Sequence, residues 1–274
     1  PLQPNDDPEL KLEQLWTFEY NDKPTMLRFV PGSDAVITVG KTGVLRWYNS
    51  IDADKDKFTV MLDMSADVHS NADHGVQSLE FHPDWDLGVH TAFVLYTGEP
   101  KSVKTLPNEA AIKSMRPDGW GDDNGGYKWW DQCPCLDCEG TGQNENGLLC
   151  EHPYYIDRIN IDVKKGKATK DITLLQAACG ASSSHGPGHL LRVGDDILFG
   201  VGDGSQFTII DTGLPEDGCF DPDKGKGQGS LRAIRDDFNN GKIRRLPYNL
   251  MDSPEELEGD QVPVIAKGVR QPFR

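Results

Sequence analysis

A glycine-rich stretch with two histidines contains the residue types best suited to chemistry in this sequence. Residues 182–205 read SSSHGPGHLLRVGDDILFGVGDGS, with His185 and His189 four positions apart. Histidine changes protonation near neutral pH and also binds metals, so His185 could be a general base or a metal ligand. It could also be a structural loop residue, with Gly202 and Asp203 closing a tight turn after a strand. The stretch alone leaves these three interpretations open.

Six cysteines form a second candidate site. Four are close together in CPCLDCEGTGQNENGLLC and two lie apart, and together they are Cys133, Cys135, Cys138, Cys150, Cys179 and Cys219. An even number in loop-like surroundings favours disulfides and an oxidising compartment. Zinc binding and free thiols are the alternatives, although the C-x-C-x2-C spacing differs from the paired C-x2-C pattern of zinc sites. The pairing of the cysteines is not determined by the sequence.

The charge of the chain excludes one class of partner. The sequence has 28 basic and 44 acidic residues and a formal net charge of -16. Such a chain repels a phosphate backbone, so nucleic acid is not an expected ligand. No stretch approaches the roughly 18 apolar residues of a membrane helix. The first residues lack the basic and apolar regions of a signal peptide, so we expect a chain that is soluble as made or already processed.

Short runs of β-branched and aromatic residues, separated by Gly, Asp, Asn and Pro, predict an all-β fold. The runs are TMLRFV, AVITVG, VLRWYN, FTVML, SLEFH, AFVLYTG, YYIDRINIDV, DITLLQ, HLLRV, DILFGVG, SLRAIR, GKIRRL and VPVIAKGV. Helical periodicity is weak, and its best candidates are DPELKLEQLW and MDSPEELEG. A unit of strand, Asp-containing turn and strand ending at Gly recurs, which favours a β-propeller over a sandwich or a barrel.

Residues 101–152 interrupt this pattern within a single domain that we expect to span residues 1–274. They are rich in Gly, Asp and Trp and show no alternation, which predicts a long Cys/Trp-rich insertion between two strands. We expect the cysteines to tie this insertion down and Trp120, Trp129 and Trp130 to pack locally. A sugar-binding platform is the alternative for the three tryptophans.

Six segments in order carry a resemblance to a known family. They are FVPGSDAVITVGKTGVLRWYN, DVHSNADHGVQSLEFHPDW, IDRINID, the histidine stretch, GSLRAIRDDFNNGKIRRLPYN and VIAKGVRQPFR. Together they resemble the pyrroloquinoline-quinone (PQQ)-dependent glucose and sorbosone dehydrogenases, whose relatives include Hedgehog-interacting protein. The resemblance implies a six-bladed β-propeller, of which this chain supplies roughly the first three blades and the start of the fourth. We expect the remaining blades to come from sequence beyond Arg274 or from another chain, because an open ring would expose sheet edges.

The resemblance also implies a function and a set of site residues. His185 matches the general base that removes the substrate's hydroxyl proton, and Arg270 matches the cation that stabilises the reduced quinone. Gln271 and Asp73, or His74 in place of Asp73, match the polar cofactor contacts. The implied cofactors are PQQ and calcium, with the calcium loop beyond Arg274, and the implied substrate is a sugar or small alcohol. The implied location is secreted, either extracellular or periplasmic.

The sequence departs from the family pattern at several positions. Gln271 replaces an asparagine, Ser184 stands where active enzymes often have an acidic or amide residue, and the G-L-L-G turn becomes GVQS at residues 75–78. These departures keep a second hypothesis open. In it, the chain is a non-catalytic extracellular propeller that serves as a protein-interaction or structural module.

Overall fold

The computed structural model describes residues 14–18, 24–70, 73–98, 101–102, 150–180, 185–204, 229–236 and 238–272. These residues form β-strands and short 3-10 segments, and they contain no α-helix. The strands are β1 (Pro24–Phe29), β2 (Val36–Gly40), β3 (Val44–Tyr48), β4 (Thr59–Asp63), β5 (Val76–Phe81), β6 (Thr91–Thr97), β7 (Lys101–Ser102), β8 (Cys150–Asp162), β9 (Lys167–Gly180), β10 (Pro187–Val193), β11 (Asp196–Val201), β12 (Lys242–Leu246) and β13 (Val264–Lys267). The 3-10 segments are Pro83–Leu87, Gly229–Ala233, Tyr248–Leu250 and Gly259–Gln261.

The strands form three antiparallel sheets, each built from strands that are consecutive in the chain. The first sheet has the order β1-β2-β3-β4 and the third has the order β10-β11-β12-β13. In the middle sheet β5, β6, β8 and β9 are neighbours in that order, and the short β7 pairs with the start of β8. This all-β arrangement agrees with the meandering sheets of a propeller. A total of six blades stays a prediction.

A two-residue turn shows why these sequences form hairpins. Val193 pairs with Asp196, so only Gly194 and Asp195 connect β10 to β11. Gly194 has a φ of 63°, which a residue without a Cβ adopts at little cost. Tight hairpins prefer such left-handed turn residues because their twist matches that of the flanking strands.

The middle sheet is buried on both faces. In β6, Ala92, Val94 and Tyr96 pack in the apolar cluster shared with the first sheet, whereas Phe93 and Leu95 pack in the cluster shared with the third. Successive side chains of a strand point to opposite faces, so a strand between two sheets needs apolar residues at every position. The uninterrupted run AFVLY satisfies this requirement.

The first strands of the three sheets lie side by side, with β5 in the centre. Every residue of β5 is buried. The backbone N–H of Leu79 donates to Met26 Sδ of β1 at 3.4 Å, and Ser78 Oγ accepts from Leu190 N of β10 at 3.0 Å. Glu80 pairs with Arg28 of β1 and also accepts from the Arg192 backbone N–H of β10. Because β5 forms hydrogen bonds with both β1 and β10, the first strands of the three sheets are held next to one another.

The strand predicted for SLRAIR is wrong. Residues 229–233 form a 3-10 segment, followed by turn hydrogen bonds from Ile234 N to Leu231 O and from Arg235 N to Arg232 O. Leu231 and Ile234 are exposed, whereas Arg232 is fully buried. In the third sheet, the position after β11 is occupied by β12, which pairs with β11 on one side and with β13 on the other.

The structure describes only part of the predicted insertion and of the two segments with weak helical periodicity. The two ends of the predicted insertion lie in strands, since residues 101–102 form β7 and residues 150–152 begin β8. The segment MDSPEELEG contains no α-helix, and only its last residue, Gly259, belongs to a 3-10 segment. Most of DPELKLEQLW lies outside the described residues. Among the residues that the structure describes, no helical segment has the length and apolarity to cross a membrane.

Truncation of the middle sheet tests its two-sided burial. We expect Leu95→Ala to lower the free energy of unfolding by about 2–5 kcal/mol, because it removes fully buried methyl groups and leaves a cavity. The matched control is Leu87→Ala, since the Leu87 side chain is 81% exposed. This control should change stability by less than about 0.5 kcal/mol. Urea unfolding measures both values, and equal effects of the two substitutions would contradict the packing.

Candidate functional site

The candidate site lies where β10 begins and β11 ends. Pro187 pairs with Val201, which places the residues just before β10 against those just after β11. Two backbone hydrogen bonds extend this pairing, from Gly202 N to Gly186 O at 3.0 Å and from Gly204 N to His185 O at 3.3 Å. The antiparallel register therefore brings His185 next to Asp203.

His185 and Asp203 form a buried hydrogen-bonded pair. His185 Nδ1 lies 2.8 Å from Asp203 Oδ1, and the two side chains are 9% and 0% exposed. An ionised carboxylate only accepts hydrogen bonds, so Nδ1 carries the proton of this contact. The neutral ring then keeps its lone pair on Nε2, as a general base requires. Asp203 was not predicted in this role; a Gly-Asp-Gly turn at a strand end was its only sequence signal.

Asp73 joins the loop before β5 to the candidate base. Its Oδ2 accepts the backbone N–H of His185 at 3.1 Å and the side-chain amide of Gln271 at 3.0 Å. The backbone oxygen of Arg270 in turn accepts from Asp203 N at 2.9 Å. The four residues predicted from the resemblance, His185, Asp73, Arg270 and Gln271, are therefore neighbours in space. The side chains of Arg270 and Gln271 are exposed.

The glycines near His185 are required for packing inside the protein. A Cβ on Gly186 would lie 2.8 Å from His74 Cδ2, and a Cβ on Gly188 would overlap Pro272 O. A Cβ on Gly202 would overlap His185 O. Glycines beside a candidate base could also let the backbone approach a flat cofactor, because they have no Cβ. The space beside Gly186 and Gly188 is instead filled by His74 and Pro272, so these glycines fix the position of the loop.

Two buried cations support the loop around Asp203. Lys242 is fully buried, and its Nζ donates to the backbone oxygens of Ala233 at 2.7 Å, Asn240 at 2.8 Å and Arg232 at 3.3 Å. Arg232, also fully buried, donates from Nη2 to Gly204 O at 3.4 Å. Buried charges need such partners because desolvation is costly. Both residues lay in segments predicted as strands, and sequence reasoning gave neither a role in the site.

Three further histidines cluster beside this loop. His69, His74 and His152 are buried, and one ring nitrogen of each lies within 4.8 Å of the corresponding nitrogens of the other two. Burial lowers the pKa of His69 to about 4 and that of His152 to about 3, with smaller contributions from the charge of Lys41 on His69 and from His69 on His152. Both imidazoles are therefore neutral at physiological pH. The cluster was not predicted, because His152 lies 78 positions after His74 in the sequence.

The cysteine predictions stay predictions. Cys133, Cys135, Cys138 and Cys219 lie outside the described residues, as do Trp120, Trp129 and Trp130 and the residue Ser184. Cys150 starts β8 and Cys179 lies near the end of β9, paired with Pro153.

Comparison with known proteins finds similarity only among solved structures. No family model and no curated protein matches the sequence. A putative oxidoreductase (glucose dehydrogenase) from Thermus thermophilus has a TM-score of 0.47 and 12% identity, over 91% of this chain and 49% of that chain. Two structures described as glucose dehydrogenase have TM-scores of 0.45 and 0.43 at 12% identity, over 84% of this chain and 49% and 45% of theirs. The chain thus spans about half the length of these structures.

The lowered pKa values of His69 and His152 predict acid sensitivity. In the unfolded chain a histidine takes up a proton below about pH 6.5, whereas buried His152 stays neutral until about pH 3. The unfolded state therefore binds more protons in this window, and stability falls as the pH falls. We expect the titration of His152 alone to lower the free energy of unfolding by about 2–3 kcal/mol between about pH 6.5 and about pH 4.5.

Urea unfolding of metal-free protein across this pH range measures the effect. The variant His152→Leu should lose stability less steeply with acid than the unsubstituted protein does, because one titrating group is gone. The control is Leu87→Ala, which changes an exposed residue that does not titrate and should keep the original slope. An unchanged slope in His152→Leu would show that His152 does not titrate as its burial requires.

Proposed function

We propose that this chain is part of a quinone-dependent dehydrogenase that oxidises a sugar or small alcohol at a hydroxyl-bearing carbon. The observation that carries the proposal is the His185–Asp203 pair, in which a buried carboxylate lies 2.8 Å from Nδ1 of the candidate base. The ordered motifs of the sequence support the same class of enzyme. They match its base at His185 and its cofactor cation at Arg270.

The residues of the chain supply the proton transfer. Nε2 of neutral His185 accepts the hydroxyl proton of the substrate, which makes the oxygen better able to form a carbonyl. The imidazolium that results is stabilised by the Asp203 carboxylate, since the attraction between the two charges is strong in a water-poor interior. Asp203 also holds the ring in one tautomer and orientation, the role of the third group in other base-assisted sites.

The cofactor would lie beside these residues. When bound, PQQ supplies the two-electron acceptor that takes the hydride from the carbon of the oxidised hydroxyl. The residues present suit an anionic, planar group, because the exposed Arg270 guanidinium can pair with carboxylates or with a reduced quinone. We propose that Gln271 also contacts the cofactor. Asp73 would act as a positioning residue, because its Oδ2 holds both the His185 backbone and the Gln271 amide.

Calcium and an extracellular or periplasmic location belong to the same proposal. Both rest on the family resemblance, and the location rests also on the six cysteines. Within the described ranges, the one group of three or more metal-ligating side chains is the histidine cluster, whose nitrogen atoms do not suit calcium. We therefore propose that the calcium ligands lie outside these ranges, as the resemblance implies.

Dye reduction by the full-length protein tests the proposal. We expect protein reconstituted with PQQ and calcium to reduce an artificial electron acceptor with at least one member of a panel of aldoses and small alcohols. His185→Gln should lower kcat by about 100- to 10,000-fold, because the base is removed. Asp203→Asn should lower kcat by at least about 100-fold with a smaller change in KM, because the ring loses its tautomer and its counter-charge.

The control variant is His90→Gln, which should keep full activity. Circular dichroism and thermal unfolding of each variant separate a lost base from a lost fold. Absence of both dye reduction and PQQ binding would overturn the proposal in favour of a non-catalytic interaction module. Full activity in a folded His185→Gln protein would remove His185 from the mechanism.

A further inference from the structure

The end of β6 is the meeting point of the three clustered histidines. His69 donates its backbone N–H to Thr97 O at 3.0 Å, and Thr97 N donates to Gly75 O, next to His74. Gly98 N donates to Pro153 O at 2.8 Å, next to His152. Backbone hydrogen bonds to two consecutive residues thus place all three histidines. A site anchored in this way is held by the sheet itself.

The geometry of the three rings suits one small ion between them. The ring centroids are 5.5 Å apart for His69 and His74, 4.9 Å for His69 and His152, and 4.7 Å for His74 and His152. One ring nitrogen from each histidine lies within 4.8 Å of the corresponding nitrogens of the other two. A tetrahedral zinc ion, with Zn–N distances of about 2.0–2.1 Å, holds its nitrogens roughly 3.3 Å apart. Small side-chain rotations within the rotamer wells close the remaining difference.

The hydrogen-bonding state of the cluster is a second, independent observation. His152 is 1% exposed, and neither of its ring nitrogens has a hydrogen-bond partner in the part of the chain that the structure describes. Within the same residues, Nε2 of the buried His69 has none either. Buried polar atoms without partners are unfavourable and rare. A metal ion that accepts one nitrogen lone pair from each ring lowers this cost.

The chemistry of the donors selects the class of ion. Metal binding needs the neutral form of histidine, and burial holds His69 and His152 in that form at neutral pH. Imidazole nitrogen suits zinc, copper and nickel, whereas calcium and magnesium prefer oxygen. Three protein ligands leave one tetrahedral position for water or for a small molecule. The negative charge of the chain favours uptake of a cation.

We propose that His69, His74 and His152 bind a zinc-class divalent cation, with the fourth position open to water or a small oxygen ligand. The site is distinct from the His185–Asp203 pair. It adjoins that pair because His74 packs against Gly186 of the His185 loop. A bound ion would therefore link the start of β5 to the start of β8, next to the loop that carries His185.

Metal titration of chelator-treated full-length protein tests this site. We expect about one equivalent of Zn²⁺ to bind at the cluster and to raise the unfolding temperature. Co²⁺ should give the intense visible d–d bands of a tetrahedral site, without the near-ultraviolet sulfur charge-transfer band that cysteine ligands would add. His152→Gln and His69→Gln should each weaken binding by more than about 100-fold, because each removes a direct ligand.

The control His90→Gln should leave the affinity for Zn²⁺ unchanged. Circular dichroism of the metal-free variants shows whether they fold. If a histidine variant does not fold, the Co²⁺ spectrum of the unsubstituted protein still decides between nitrogen and sulfur ligands. The proposal is overturned if Zn²⁺ does not bind, if binding survives in folded His152→Gln, or if the Co²⁺ spectrum at one equivalent shows the sulfur charge-transfer band beside the d–d bands. None of these measurements depends on dehydrogenase activity, so the two proposals succeed or fail separately.

Discussion

Burial of the middle sheet on both faces is the constraint that fixes the positions of its neighbours and of the loops at its end. Its strand β5 has no exposed residue and bonds to β1 on one side and to β10 on the other. Once those three strands lie together, the loops at their ends have little freedom. The loop before β5, which carries Asp73, then meets the loop before β10, which carries His185. Core packing and site geometry are therefore consequences of the same arrangement.

The loops at this end of the sheets contain charged side chains that are buried in the protein. Asp203, Lys242 and Arg232 are all fully buried, and each has polar contacts within the same few loops. Charged groups in such surroundings interact strongly because little water screens them. The backbone oxygens that Lys242 and Arg232 bind belong to Gly204 beside Asp203, to Asn240 before β12, and to the 3-10 segment Gly229–Ala233. These cations therefore hold the scaffold that orients the His185–Asp203 pair.

The histidines at this end occupy two different chemical environments. His185 has a carboxylate partner, which fixes the tautomer and the orientation of the ring. His69 and His152 lie among other rings, where burial favours the neutral form. The same residue type thus occurs once with a carboxylate partner and once among other imidazole rings, in two adjoining parts of the structure. Gly186 and His74 are the point of contact between the two.

Local sequence patterns predicted most of the strands, whereas His185, Asp73, Arg270 and Gln271 came from the family resemblance and their roles stay predictions. Alternation, β-branched runs and turn residues are local properties, so all but one of the predicted strand segments were found, and the motif around His185 was recognisable. SLRAIR failed because burial of Arg232 and pairing of β12 are decided by distant residues. Folding in three dimensions was needed to join His185 to Asp203, 18 positions away, and to Asp73, 112 positions away. The same holds for His69, His74 and His152, because their proximity results from strand register and sheet packing, which no local pattern encodes.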